Sequence, residues 1–283
     1  MNQQIESFFA IEPFKTYRDY FNVHIIFAES LESGVGGQNT IVYNRFGTTF
    51  EGGETSTLRT SYDDVFNFVT NNIHSIDDNK LCETVIVLTA NSEYLGGTSH
   101  MWRDGKSIAI CPLSSWDYPY DQRGVVQHCA CGNCFGKLGE EGVYFNEFYP
   151  WTIDNSNGWN ANLSTSANMK DVGWSHLIFD PRYSSSVDMF EGGDGYARGI
   201  FRSEHNSCMN NNIEYFSTIS RESIVRRIKE YAGEFDIVLN KFTYNKLLLY
   251  NLLYKSICIF SSTLLTRLYP IVFGIAALKF LTI

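Results

Sequence analysis

The sequence lacks any concentration of basic side chains. Its 283 residues include 22 Lys and Arg against 31 Asp and Glu, a formal net charge of -9, and the basic residues form no stripe. Because nucleic-acid binding needs a basic surface that neutralises phosphates, the composition argues against a nucleic-acid partner. Hydrophobic residues make up 44% and aromatic residues 15% of the chain, which is the composition of a folded globular protein.

An export signal is also missing, since no basic stretch followed by a long apolar run opens the chain. The sequence therefore predicts either a cytoplasmic protein or a fragment that has lost its export signal and N-terminal region. The seven cysteines are odd in number and do not have the spacing of a small disulfide scaffold. Three of them, Cys129, Cys131 and Cys134, lie so close together that they need a separate explanation.

The C-terminal tail has no uninterrupted apolar run of membrane-spanning length. A span needs about 20 apolar residues, whereas Lys255, Arg267 and Lys279 divide the tail into shorter runs. Joining these runs would place Arg267 in mid-bilayer, at a high cost. Three interpretations of residues 235–283 stay open: an amphipathic or membrane-contacting tail, a helical packing extension, and an aberrant C-terminus such as out-of-frame translation, which we favour.

Apolar periodicity predicts alternating strands and helices in the rest of the chain, and therefore an α/β fold with one main sheet. The loop-rich composition of residues 151–186 favours long ordered loops, where sites tend to lie. We expect one domain over residues 1–234 and an unassigned tail over 235–283. The predicted strands are 21–27, 83–89 and 107–111, and the predicted helices are 63–76, 124–138 and 221–232, the last capped by Ser220 and stopped by Gly233.

The predicted helix from Gly124 onward carries His128 and is followed by two carboxylates. A single His on an apolar helix is more often a core residue than a metal ligand. This segment, however, resembles the zinc helix of the IgA-peptidase family of metallopeptidases, which has a pattern like H-E-A-G-G-H-G-F-G-K-L-x-x-E-Y. The positions that fit the pattern in place are His128, Ala130, Gly132, residues 135–138 and Glu141.

Further segments resemble the same family in the same order, so the resemblance covers about Pro13 to Glu234. It implies an α/β, zincin-like metallopeptidase domain with a mixed sheet and a central zinc-site helix. It also implies one zinc ion, a protein or peptide substrate, and a secreted or cell-surface location. These segments are residues 13–23, 174–183, 190–193, 196–202 and 207–209.

The resemblance assigns roles to individual residues. A catalytic zinc takes about three protein ligands and a water, and a Glu beside the first His takes the proton from that water. By resemblance His128 is the first ligand, Asn133 stands at the second His, and Cys129 stands at the general base. Glu140 or Glu141 is the candidate third ligand. The extra residue between the two ligand positions requires a π-type widening of the helix.

The same stretch departs from the family pattern at the positions that carry the chemistry. A thiol at Cys129 cannot replace a carboxylate base without large changes in geometry and pKa, and loss of a general base costs about 10²–10⁴-fold in rate. Asn133 is a poor zinc ligand beside imidazole, and Gly142 stands where the family has Tyr. We therefore expect a zinc-dependent metallopeptidase-like protein with impaired hydrolysis.

Two alternatives stay open. An inactive pseudopeptidase could bind peptide or protein, for example along residues 107–111 if they form an edge strand. A structural metal site could use His128, Cys131 and Cys134, which share one side of a regular helix.

Tyr183 and Arg202 are weaker catalytic candidates, because either could steady an oxyanion or take part in ordinary packing and ion pairs. Met209 resembles the methionine under the metal of related zincins, or is a core residue.

Overall fold

The structure is a computed structural model that describes residues 2–37, 39–52, 57–91, 96–234 and 269–276. Short 3-10 turns cover Arg18–Tyr20 and Ser156–Gly158, and a π-helix covers Gln127–Phe135. The α-helices are α1 Asn2–Ala10, α2 Tyr62–Asn72, α3 Asp78–Leu81, α4 Gln122–Val126, α5 Ser175–Ile178, α6 Cys208–Asn211 and α7 Thr218–Tyr231. The strands are β1 Phe21–Ala28, β2 Thr49–Phe50, β3 Leu58–Arg59, β4 Val85–Ala90, β5 Thr98–Met101, β6 Ser107–Pro112, β7 Val143–Phe148, β8 Leu163–Ser164, β9 Phe190–Gly193, β10 Gly195–Arg202 and β11 Tyr269–Ala276.

The main sheet has five strands in the order β1-β11-β4-β6-β5. Its first four strands are parallel, and β5 pairs with β6 in antiparallel register, with Thr98 opposite Ile110. The sheet is therefore mixed, and the fold is α/β as predicted. Because β6 lies between β4 and β5, it is not an edge strand, and an added peptide would have to pair with β5 instead.

Two hydrophobic clusters cover the two faces of the sheet. Since side chains of a strand alternate between faces, Val85 and Val87 of β4 enter one cluster with α1, the π-helix and α7, while Ile86 and Leu88 enter the other with α2. In the first cluster Phe14 packs edge-on against Phe8 and Phe135, with ring centroids 4.9 and 5.3 Å apart. The π-helix is thereby fixed against the sheet.

A second, smaller sheet lies beyond the π-helix in the chain. Its strand order is β7-β10-β8, and β9 also pairs with β10. All six residues of β7 are exposed. This sheet was not predicted, because neither its strands nor β5 carry a long buried run.

The predicted strands and helices of the main layer are confirmed, with shifted ends. The predicted helix 124–138 starts at Gln122, where the Asp121 side chain accepts from the backbone N–H of Gly124 at 2.9 Å, and changes from α to π form after Val126. The prediction that Ser220 caps the last helix is wrong: α7 begins at Thr218 after Ser217, and the Ser220 hydroxyl instead bonds to that of Ser217 at 2.8 Å.

Residues Tyr269–Ala276 of the predicted tail form β11, which pairs with both β1 and β4. The rest of the tail lies outside the described residues, and the predicted domain boundary at residue 234 stays a prediction. Within the described ranges, no helix is both long enough and apolar enough to cross a membrane.

Candidate functional site

The π-helix brings the candidate site residues together. Its wide turn is closed by a bond from the Gly136 N–H to the Cys131 carbonyl, five residues back, at 2.9 Å. In such a helix, residues five apart lie on the same side, so His128 and Asn133 both face one cavity. A widened helix here agrees with the prediction, although it extends over nine residues rather than a single bulge.

Gly132 lets the helix approach the segment that resembles a methionine turn. A Cβ on Gly132 would collide with the Sδ of Met209, which is fully buried. Met209 therefore packs directly against the backbone of the π-helix. The capping Ser207 holds this segment in place, since its hydroxyl accepts from the Met209 N–H at 3.0 Å.

The cavity in front of the helix has a volume of about 710 Å³. Gly96 to Ser99, at the start of β5, border one side, and Tyr120, Tyr144 and Asn160 border the others. The His128, Cys129, Asn133 and Glu140 side chains contribute to its floor. It is wide enough for a peptide segment.

His128 is bonded at both ring nitrogens. Its Nδ1 lies 3.0 Å from the Cys208 carbonyl and 2.8 Å from the Oδ1 of Asn212, and its Nε2 lies 2.9 Å from both carboxylate oxygens of Glu140. All these partners are acceptors, so the ring donates from both nitrogens and carries a positive charge. Burial alone would lower the pKa of His128, but the charge and hydrogen bonds of Glu140 outweigh it and raise the pKa to about 9.

Asn133 completes this group. Its Nδ2 donates to Glu140 at 2.9 Å and to the Leu138 carbonyl at 3.2 Å, and its Oδ1 accepts from the Ser99 hydroxyl at 3.1 Å. Burial would raise the pKa of Glu140, but the His128 charge and these hydrogen bonds lower it overall. His128, Asn133 and Glu140 thus form one hydrogen-bonded cluster with a closed ion pair.

Glu141 points elsewhere. It is buried, and it accepts from the Ser207 hydroxyl at 2.5 Å and from the Asn162 amide at 2.8 Å. Burial raises its pKa to about 7 despite these two bonds. Of the two carboxylates that the sequence left open, the structure brings Glu140 to His128 and uses Glu141 to tie the helix exit to α6.

Cys129, at the position of the base, lines the cavity but is almost fully buried. Burial raises the pKa of its thiol far above the ordinary value, so it is protonated at neutral pH. A protonated thiol cannot accept a proton from water as a carboxylate does.

Cys131 and Cys134 do not share a side of the helix with His128. The three-residue spacing aligns them only on a regular α-helix, and the π-helix rotates them into the core, where the Cys131 thiol donates to the Phe8 carbonyl at 3.4 Å. Across the described part of the chain, no group of three or more His, Cys, Asp and Glu side chains is arranged to hold a metal ion.

Among the residues that the structure describes, the cavity lining includes neither Tyr183 nor Arg202. Tyr183 packs against the cluster around Trp174, and Arg202 donates to the Glu191 and Gly192 carbonyls at 3.1 and 2.6 Å. Both therefore have packing or bonding roles within the smaller sheet region.

Sequence reasoning missed Ser99, Asn212 and Tyr144. The Tyr144 hydroxyl lies 2.7 Å from where a Cβ on Gly142 would be, so its ring covers the position at which the family has Tyr. Burial, followed by the Glu140 charge, raises the pKa of Tyr144. A tyrosine two positions after the expected one was the available signal.

No curated protein matches the chain. A sequence model of the family described as IgA Peptidase M64 matches residues 1–180, which is more than half of the 283 residues and includes the π-helix, Glu140 and Glu141. The chain belongs to the IgA peptidase M64 family.

Proposed function

We propose that this chain is a peptidase-like protein that holds an extended peptide in the cavity and hydrolyses it poorly or not at all. The observation that carries the proposal is the closed cluster of His128, Glu140 and Asn133, in which each polar group is satisfied by a neighbour. The catalytic groups of a hydrolase would instead face the reacting bond.

The donor set at this position does not fit a catalytic zinc. Such an ion takes about three His, Cys, Asp or Glu ligands, whereas His128 and Glu140 supply two, and the third group, Asn133, directs its amide N–H groups at Glu140 and Leu138. We therefore derive no hydrolytic step through zinc for this chain. The zincin-like packing of the helix over Met209 supports descent from a zinc enzyme, and it is part of the proposal.

The cavity itself supports peptide binding. β5 is one of the two edges of the main sheet among the described strands, and Gly96 to Ser99 border the cavity. An extended peptide can add to such an edge through main-chain hydrogen bonds. The Tyr120 and Tyr144 side chains, both exposed and at the cavity wall, offer apolar contacts for its side chains.

Binding is tested with fluorescently labelled unstructured peptides and the full chain. We expect anisotropy to report saturable binding, weakened by Tyr144→Ala and unchanged by Phe179→Ala, an exposed aromatic control that does not line the cavity. Peptide mapping by mass spectrometry should find no cleavage. Absence of saturable binding, or rapid cleavage by the unaltered chain, would contradict the proposal.

Restoring the family residues at two positions separates the effect of the missing zinc ligand at Asn133 from that of the missing general base at Cys129. Cys129→Glu with Asn133→His should bind zinc near one equivalent and cleave casein. Its matched control, Cys129→Gln with Asn133→His, should bind the same zinc and lose about 10²–10⁴-fold of that activity, the contribution of a general base. Zinc binding and cleavage by the unaltered chain at the level of the revertant would overturn the assignment.

A further inference from the structure

A second cavity of about 770 Å³ lies between the loop around Asn157 and the outer side of α7. The proposed peptide-binding function does not use it. Its wall includes Gly158 from the loop and Ser223, Arg226 and Arg227 from the helix. Two adjacent arginines therefore face one space.

The two guanidinium groups converge at Gly158. The Nη2 atoms of Arg226 and Arg227 each lie 3.3 Å from the position that a Cβ on Gly158 would occupy. A side chain at this position would press on both guanidinium groups. Two like charges this close repel unless an anion lies between or beside them.

Neither arginine has a hydrogen-bonded carboxylate partner among the described residues. Arg227 donates to the Tyr231 hydroxyl at 3.2 Å and to the Asn157 and Gly158 carbonyls at 3.5 and 3.4 Å, all uncharged acceptors. The ion pair of Arg226 with Glu230 is 3.9 Å long, beyond hydrogen-bond range. Among the described residues Arg227 thus has no charged partner, and Arg226 has only a long ion pair.

Two buried polar atoms on the same wall also lack a partner in the described part of the chain. These are the Ser223 hydroxyl, on a side chain that is only 2% exposed, and the Nε of Arg227. Leaving a buried polar atom unpaired is unfavourable. A ligand that accepts hydrogen bonds would satisfy both.

Three carboxylates also line the cavity, Asp171, Glu222 and Glu230. Glu222 is bonded to His176 at 2.9 Å, Asp171 accepts from the Asn168 amide at 2.8 Å, and Glu230 lies 3.9 Å from the Nε of Arg226. None of the three is hydrogen-bonded to Arg226 or Arg227 among the described residues. The point beside Gly158 at which the two guanidinium groups meet is therefore locally positive and favours an anion.

We propose that Arg226, Arg227 and Ser223 form an oxyanion-binding site for a phosphate or carboxylate group of a ligand. Guanidinium forks match the planar or tetrahedral oxygens of these groups, and the hydroxyl supplies a further donor.

The test is isothermal titration of the full chain with inorganic phosphate and, separately, with acetate. We expect saturable binding, weakened about tenfold or more by Arg226→Gln, the equivalent of about 1.4 kcal/mol, and severalfold by Ser223→Ala. Arg182→Gln, an exposed arginine paired with Asp180, is the matched control and should not change it. The anion that binds more tightly indicates whether the ligand carries a phosphate or a carboxylate group, and tighter binding of either anion supports the site.

Arg226 is more than half exposed, so its substitution should leave the fold intact, which circular dichroism checks. No saturable binding of either anion at millimolar concentration, or equal affinity in Arg226→Gln and the unaltered chain, would overturn the proposal.

Discussion

His128 has one of the hydrogen bonds that are common among metal-binding histidines. Ligating imidazoles usually donate the second ring N–H to a carbonyl or carboxylate, which fixes the tautomer. Here Nδ1 lies 3.0 Å from the Cys208 carbonyl, and Nε2 donates a hydrogen bond to Glu140 at 2.9 Å. The carbonyl orients the ring, and Glu140 occupies its second nitrogen in an internal ion pair.

The ion pair predicts an unusual titration of His128. Its ring should titrate near pH 9 in ¹H–¹⁵N spectra, because Glu140 stabilises the charged form. Glu140→Gln should lower the midpoint, because burial, which lowers the pKa, is then opposed only by the hydrogen bonds to Cys208 and Asn212. Glu147→Gln, on exposed β7, is the control, and a midpoint that Glu140→Gln leaves unmoved would contradict the assigned pair.

The same pair fixes the sign of its pH-dependent stability. The folded-state pKa of His128 is raised, so its contribution is fully present below about 6.5 and lost as pH rises through about 9. The folded-state pKa of Glu140 is lowered, so its contribution is lost as pH falls below the ordinary 4.5. The loss of melting temperature caused by Glu140→Gln should accordingly be largest between about pH 4.5 and 6.5 and should shrink as the pH rises through about 9.

At the residue scale, the sequence predicted the members of the cluster but not their geometry. His128 and Asn133 followed from their spacing in the motif. The choice between Glu140 and Glu141 did not, because it depends on the turn after the π-helix, where Lys137 has a φ of 52°. Ser99 was not predictable, because its approach to the cluster depends on packing between distant segments, whereas Tyr144 had one signal, its place two positions after the expected tyrosine.

At the scale of elements, the π-helix depends on close contact with the methionine segment. We expect Gly132→Ala to destabilise the protein by about 1–3 kcal/mol, the usual cost of overpacking, because the new Cβ meets Met209. Chemical denaturation measures this change. Gly37→Ala is the matched control, since nothing lies within 4 Å of its added Cβ, and equal stability of the two variants would show that the contact is not tight.

Element prediction succeeded where a strand or helix buries a continuous apolar face. β4 and β6 are buried at every position, and their β-branched runs identified them. β7 is exposed at every position, and its partner β10 contains bulges, so no period was available. The length of the π-helix was not predictable either, because its residues are buried on nearly all sides and show no apolar period.

At the scale of the whole molecule, the main sheet depends on a strand that comes from the end of the chain. β11 separates β1 from β4 and pairs in parallel with both. Val272→Pro should therefore lower the melting temperature strongly, because a proline in a central strand removes a ladder hydrogen bond. Val272→Ala keeps the backbone N–H and is the matched control.

Unchanged melting of the proline variant would mean that β11 contributes little to the sheet. This dependence was not predicted, because the tail shares no motif with the family and its apolar residues suit several environments.

The position of β11 also has a consequence for synthesis on the ribosome. Residues 21–28 and 85–90 emerge early, yet their shared neighbour, residues 269–276, emerges about 180 residues after the second of them. Until then the backbone N–H and C=O groups of β1 have no strand partner on that side. A chain that terminated before residue 269 would therefore carry an open edge in its main sheet, which favours aggregation and degradation.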